Sequence, residues 1–198
     1  MNILLNGRAG KVGSVLGPGL EAAGHVLVDS LDAADVMVDF TRPDAALTNV
    51  RAAVDAGVPC VVGTTGWDTQ AVADAVVPVF YAPNFSIGAV LMMRFAADAA
   101  QHFDRAEIVE LHQVEKLDKP SGTAKLTAER MGGNVPIHSV RLPGLNAHQE
   151  VLLGGPGQLL TIRHDATSRE AYTPGVLLAL EKLATLPPGL TVGLDAIL

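Results

Sequence analysis

The run HQVEKLDKPSGTAK, residues 112 to 125, sets a histidine, lysines, a proline and a Ser-Gly-Thr turn within one short stretch. Read as a strand, the residues leading into it place Ile108, Glu110 and His112 on one face and Val109, Leu111 and Gln113 on the other; a helical wheel scatters the same apolar residues. His112 then leaves a strand end, with Lys116 on the loop that follows. Pro120 stops regular structure, Ser121 suits a helix N-cap, and the N–H groups of Gly122 and Thr123 open a helix whose positive end attracts an anion. A titratable imidazole, a cation and a carboxylate-binding helix start together describe reduction of an anionic acceptor beside a nicotinamide.

A nicotinamide needs a nucleotide site, and LLNGRAGKVGSVL spaces Gly7, Gly10 and Gly13 three apart, after an apolar strand and at a helix start. Glycines at such a turn let the backbone approach a pyrophosphate, held by N–H groups and the helix dipole. Asp29 lies 22 residues after Gly7, near the distance at which an acid bonds the adenosine ribose of NAD. Arg8 and Lys11 offer cations for the 2′-phosphate of NADP, so both coenzymes stay open. Gly63, Thr64 and Thr65 in VVGTTGW suit a nicotinamide ribose or carboxamide, and Ala82, Pro83, Asn84 and Phe85 form the exit of a further strand.

The elements that must carry these groups are legible as alternating short apolar runs and alanine-rich stretches. Strands are expected at NILLN, HVLVD, DVMVDF, PCVVGT and VPVFYA, with helices at KVGSVLGPGLEAAG, PDAALTNVRAAVDAG and DTQAVADAV. From about Phe85 the texture changes. FSIGAVLMMRFAADAAQHF predicts one long helix with Ser86 as its N-cap, followed by strands AEIVELHQ, IHSVRLPG, HQEVLLGG and QLLTIRHDA, and then a helix in REAYTPGVLLALEKLATL. The fold class is α/β: a Rossmann-like parallel-sheet domain plus a smaller α+β domain with a mixed, largely antiparallel sheet. Residues 1–85, joined by about 175–198, are expected to bind the dinucleotide, and 86–174 to bind substrate and form the oligomer.

Composition sets limits. The 198-residue chain has a formal charge of −7 with its basic residues scattered, which argues against a nucleic-acid surface. No apolar run reaches bilayer length and the N-terminus lacks a leader pattern, so a cytoplasmic protein without membrane partners is expected. The single cysteine, Cys60, excludes an intrachain disulfide and reads as a core residue. His138 and His148 read as sheet-surface residues without metal-ligand spacing, so no metal is implied.

In order, GRAGKVG, VDFTRPDAA, VVGTTGW, YAPNFSIG, ELHQVEKLDKPSGTA and HDATSREAYTPGVLLA resemble the successive motifs of the 4-hydroxy-tetrahydrodipicolinate reductase family, also called dihydrodipicolinate reductase. The resemblance runs almost end to end. It implies a small dicarboxylate substrate from lysine and diaminopimelate biosynthesis, NADH and/or NADPH as coenzyme, and a homotetramer. By the family's motif, His112 is the proton donor and acceptor, Lys116 a proton donor, and Gln113, Gly122 and Thr123 hold the substrate. The coenzyme falls to Gly7, Arg8, Ala9, Gly10, Lys11 and Val12, with Gly63 to Thr65 and Ala82 to Phe85.

Three departures stand out. Gln113 replaces the family's usual second histidine, Lys119 replaces a small residue, and some tens of residues usual between HVLVDS and DAADVMVDF are missing here. An amino-acid dehydrogenase of the same architecture would keep the glycine loop and lack KLDKPSGTA; a nucleotide sensor would have no use for His112 and Lys116. His164, Arg169 and Tyr172 resemble a junction motif and are read as hydrogen bonding between the sheet and the C-terminal helix.

Overall fold

The computed structural model describes residues 1–198, which divide into two compact units: Met1–Phe85 with Arg169–Leu198, and Ser86–Ser168. No helix is long and apolar enough to cross a membrane.

The first unit is built on six parallel strands: β1 (Asn2–Asn6), β2 (Val26–Val28), β3 (Val36–Asp39), β4 (Cys60–Val62), β5 (Pro78–Tyr81) and β10 (Gly189–Val192), in the order β10-β5-β4-β3-β1-β2. Helices α1 (Gly13–Ala22), α2 (Pro43–Asp55) and α5 (Thr173–Leu183) pack on it. The strands are short and β-branched, and β3 and β4 are buried along their whole length, as a parallel sheet covered on both faces demands. Met37, Cys60, Val62 and Val79 form one core with Ala46, Val50 and Ala53 of α2.

Two local outcomes differ from the sequence reading, and a third, the short link from β2 to β3, agrees with it. DTQAVADAV makes only a 3₁₀ turn over Thr69–Val72, because Asp68 caps Gln70 N–H at 3.2 Å and Val72 alone of that turn is buried; without a core-facing stripe, helix nucleation is not repaid. REAYTPGVLLALEKLATL opens with a 3₁₀ turn at Arg169–Tyr172, and α5 starts only at Thr173, with Pro174 in its first turn where no N–H is needed. The link from β2 to β3 is just residues 29–35 with one 3₁₀ turn at Leu31–Ala33, where parallel strands ordinarily take a helical crossover. Asp35 closes it on β1: its N–H donates to the Asn2 carbonyl at 2.9 Å, and its carboxylate accepts from Asn2 N–H at 2.6 Å.

The second unit holds a four-stranded mixed sheet, β7 (Ile137–Arg141), β6 (Arg105–His112), β8 (Ala147–Gly155) and β9 (Gln158–Ala166) in that order, with only β6 and β7 parallel. Helices α3 (Ile87–Ala100) and α4 (Gly122–Arg130) supply the other side of its core, in which Ala96, Ala124 and Ala128 meet Ile108, Val151 and Leu153. Ser86 stands at the N-cap of α3 but makes no side-chain cap bond. Its hydroxyl instead lies 3.3 Å from His164 Nε2, so the partner of His164 is the start of α3 and not the C-terminal helix.

Candidate active site

At the carboxyl end of β1 the chain turns through residues 7–12 before α1 begins. Gly7 has φ +84°, and a Cβ there would stand 2.2 Å from the Phe40 carbonyl oxygen, so only glycine fits. Gly10 N–H closes the turn on the Gly7 carbonyl at 2.8 Å. Gly10, Lys11 and Val12 then line a cavity of about 340 Å³ with Phe40, Thr41, Pro43, Gly63, Thr64 and Thr65. A Cβ on Gly63 would collide with the Phe40 ring at 2.2 Å. Glycine turns at strand ends beside the start of α1 are the features by which a sheet edge admits a pyrophosphate, and these residues fit one.

The sequence-selected residues are only partly united there. Gly10, Lys11, Val12, Gly63, Thr64 and Thr65 share the cavity wall; Gly7, Arg8 and Ala9 shape the same turn without lining it. Arg8 engages Glu21 at 3.5 Å. Asp29 is exposed just beyond β2. Ala82 and Phe85 are buried, Pro83 is exposed and Asn84 half-buried, and the Phe85 ring packs 5.5 Å from Phe40, backing the cavity instead of lining it.

Behind the wall lies a residue the sequence reading did not single out. Asp39, fully buried at the end of β3, accepts from Thr41 N–H at 3.1 Å, the Thr41 hydroxyl at 2.8 Å, the Thr64 hydroxyl at 2.6 Å and the Asn49 amide at 2.7 Å. Thr41 N–H also reaches Thr64 Oγ1 at 2.7 Å. Four donors satisfy one acceptor-only group, which ties the loop after β3 to the loop after β4. The signal was an acid closing an otherwise apolar strand, DVMVDF.

The second unit gathers a different set. His112, at the end of β6, donates from Nδ1 to Glu110 Oε2, and Glu110 is fully buried two residues earlier on the same face. Arg141, paired with His112 across the parallel β6–β7 register, donates from Nη1 to Glu110 Oε2 at 2.9 Å and from Nη2 to Oε1 at 2.8 Å. The same guanidinium holds the loop beyond: Nη2 donates to the Asp118 carbonyl at 2.8 Å and Nε to the Lys116 carbonyl at 3.4 Å.

Burial pushes the Glu110 carboxyl up, but hydrogen bonds from Arg141, Ser139 and His112 and the His112 charge outweigh it, leaving it below the usual range. Burial also lowers His112; the Glu110 bond and charge oppose that, Lys116 and Arg141 reinforce it, and the balance stays below the ordinary value. Ionised Glu110 accepts only, so Nδ1 carries the proton and Nε2 is the group left for chemistry.

Lys116 pairs with Asp118 at 2.8 Å. Burial raises the Asp118 carboxyl, yet Lys116, its own backbone N–H and that of Gly122 bring it below its ordinary value. One carboxylate thus bridges the cation and the first N–H of α4, two groups that the sequence reading offers to a substrate carboxylate. Ser121 caps α4 as expected, accepting from Ala124 N–H at 3.2 Å, and Gln113 and Thr123 are half-buried nearby in sequence. His138 and His148 meet acids, Glu107 at 2.7 Å and Asp165 at 2.6 Å, on strand faces.

Known proteins are similar to this chain in sequence and in fold. A family model described as "Dihydrodipicolinate reductase, N-terminus" matches residues 18–85, and one described as "Dihydrodipicolinate reductase, C-terminus" matches 88–198. A 4-hydroxy-tetrahydrodipicolinate reductase of Beutenbergia cavernae is 44% identical over 244 aligned positions, covering 100% of this chain and 98% of that protein. The 244 positions against 198 residues leave the relative with a surplus that has no counterpart here. One from Moorella thermoacetica is 45% identical over 91% of this chain and 81% of its own length. Among solved structures, dipicolinate-bound dihydrodipicolinate reductase from Paenisporosarcina sp. TG-14 superposes with a TM-score of 0.86 at 30% identity, covering 100% of this chain and 99% of that one. The matched family models span both units of this chain, which therefore belongs to the dihydrodipicolinate reductase family.

Proposed function

We propose that the chain reduces 4-hydroxy-tetrahydrodipicolinate to tetrahydrodipicolinate with loss of water, using NADH or NADPH, in lysine and diaminopimelate biosynthesis. The observation that carries this reading is the oriented imidazole of His112, followed on one loop by Lys116 and the Ser121-capped start of α4. The first unit, residues 1–85 with the C-terminal segment, takes the coenzyme, and the second the substrate.

When bound, the coenzyme would be the source of the hydride that C4 of the ring accepts. The turn Gly7, Arg8, Ala9, Gly10, Lys11 and Val12 would hold its pyrophosphate, with Gly63, Thr64 and Thr65 toward the nicotinamide and Ala82 to Phe85 framing the exit of β5. Exposed Asp29 favours NADH and Lys11 favours NADPH; the short β2–β3 link leaves few other residues to decide between them.

His112 handles the proton. Its Nε2, opposite the fixed Nδ1–H, takes up a proton from solvent and as the imidazolium gives it to the departing 4-hydroxyl. The hydroxyl leaves as water while the ring carbon beside C4 loses a proton; after hydride addition at C4 that carbon regains a proton, for the net uptake of one. Lys116 leaves Asp118 for a substrate carboxylate, which replaces the Asp118 oxygen at Lys116 Nζ and at the Gly122 and Thr123 end of α4. The Gln113 amide bonds the ring substituents. The second-unit sheet forms the homotetramer, and the enzyme works in the cytoplasm.

The test is loss of NADH or NADPH absorbance with freshly generated 4-hydroxy-tetrahydrodipicolinate, with His112→Gln in parallel and sedimentation for the assembly. Oxidation that collapses in the variant supports the reading. Intact coenzyme binding with no oxidation of either coenzyme by the wild type overturns it.

A further inference from the structure

The ion pair beneath His112 joins Glu110, from the motif itself but with no role assigned to it there, to Arg141 from outside the motif, and it touches the strand and the loop that carry His112 and Lys116. Glu110 is fully buried, with Oε2 on His112 Nδ1 and on Arg141 Nη1, and Oε1 on Arg141 Nη2. A buried ion pair is weak evidence for stability, because desolvation offsets its Coulomb energy. Arg141 is spent on more than neutralising Glu110: it also donates to the carbonyls of Val140, Lys116 and Asp118. Those last two flank the Lys116–Asp118 pair, so one planar guanidinium spans β7, the floor under the imidazole and the loop that bears the ammonium group.

We infer that Glu110 and Arg141 are the positioning residues of the site: Glu110 fixes the His112 ring and its tautomer, and Arg141 braces Glu110 while pinning the Lys116 loop to the same frame. This rests on the proposed roles of His112 and Lys116. It assigns the relative placement of those two groups to side chains that touch neither substrate nor coenzyme. A lysine at 141 keeps the charge but loses the fork that reaches Glu110 and two carbonyls at once. A glutamine at 110 keeps the shape but replaces an acceptor-only oxygen pair with an amide that can present its NH₂ to Nδ1.

The groups facing His112 are Glu110 on its own strand, Arg141 on β7 and Lys116 on the loop, with Ser139 of β7 bonded to Glu110. Removing each moves the imidazole in its own direction. Glu110→Gln takes away the hydrogen bond and charge that raise its pKa, so the inflection drops; Arg141→Met takes away a charge that lowers it, so the inflection rises.

The experiment is a pH titration of the His112 ring by ¹⁵N NMR in the full chain, for wild type, Glu110→Gln, Arg141→Met and Arg141→Lys, alongside kcat and KM for substrate and coenzyme. The inference expects wild-type His112 in the Nδ1–H tautomer, opposite shifts in Glu110→Gln and Arg141→Met, and kcat lowered about 100-fold in Glu110→Gln with coenzyme KM unchanged. Arg141→Lys should recover the His112 titration but not kcat, because the loop remains unpinned. A wild-type Nε2–H tautomer overturns the inference without any variant, as does Glu110→Gln with an unmoved titration and kcat within about twofold of wild type. The NMR outcomes stand whether or not the wild type reduces the proposed substrate, so failure of that reading is told apart from failure of this one.

Discussion

Each unit buries one carboxylate completely at the carboxyl end of a strand, Asp39 in the first and Glu110 in the second, and satisfies it differently. Asp39 is met by hydroxyl, amide and backbone donors that carry no charge. Glu110 is met by a guanidinium and an imidazole. Neutral donors fix a shape, here the two loops around the cavity proposed for the coenzyme, and do not themselves titrate. Charged donors tie geometry to protonation, which suits the proposed role of His112 in moving a proton. The same burial thus yields a rigid cradle in one unit and a tunable acid in the other.

The largest effect that sharpens this contrast is loss of the group poised by Glu110. His112→Gln should lower kcat by about 10²–10⁴-fold while coenzyme Kd, read by fluorescence, stays within error. A parallel loss of coenzyme affinity would break the division of labour. Next, Asp39→Ala strands Thr41, Thr64 and Asn49 donors behind the cavity, and should cost roughly 3 kcal/mol in urea unfolding and weaken coenzyme binding, with the pH profile of the remaining turnover unmoved. A displaced profile would mean that Asp39 also governs the proton.

Lys116→Ala should reduce turnover more than Lys116→Arg, since a charge clamp tolerates the guanidinium; equal losses would count against a clamp. Asp118→Asn, by freeing Lys116, should lower substrate KM by a few-fold with kcat little changed, as steady-state kinetics would read.

The smallest effect concerns stability. His112 sits below 6.5 and Glu110 below 4.5 in the folded chain, so the unfolded chain binds protons more readily as pH falls. Stability is therefore full above these values and is lost on acidification, first below 6.5 and again below 4.5. His25 and His164, lowered chiefly by burial, add to the first stage, and Asp118 and Asp165 to the second. Tm measured across this range should show His112→Gln shrinking the first stage most and the second stage less, because His112 also helps hold Glu110 below its usual range.

Much of this was legible in the sequence because it is local. The period-two pattern around Ile108, Glu110 and His112, the glycines at 7, 10 and 13, and the cap at Ser121 are properties of a few consecutive residues, and they placed the strand end, the turn and the helix start that the chain forms. They also carried the six motifs that identify the family. The helix expected at DTQAVADAV failed for the opposite reason: alanine propensity is local, but only burial against a core would have made it helical.

Tertiary structure alone decided the partners. Arg141 meets Glu110 because β7 pairs with β6 in a parallel register that joins His112 to Arg141, and nothing in IHSVRLPG announces that register. Asp39 gains Thr64 only when β3 and β4 lie side by side, and Phe40 becomes a cavity wall only because Gly63 leaves its ring room. Residue types and short spacings fixed which groups could carry the chemistry; which of them touch is set by the pairing of segments tens of residues apart, which no local spacing encodes.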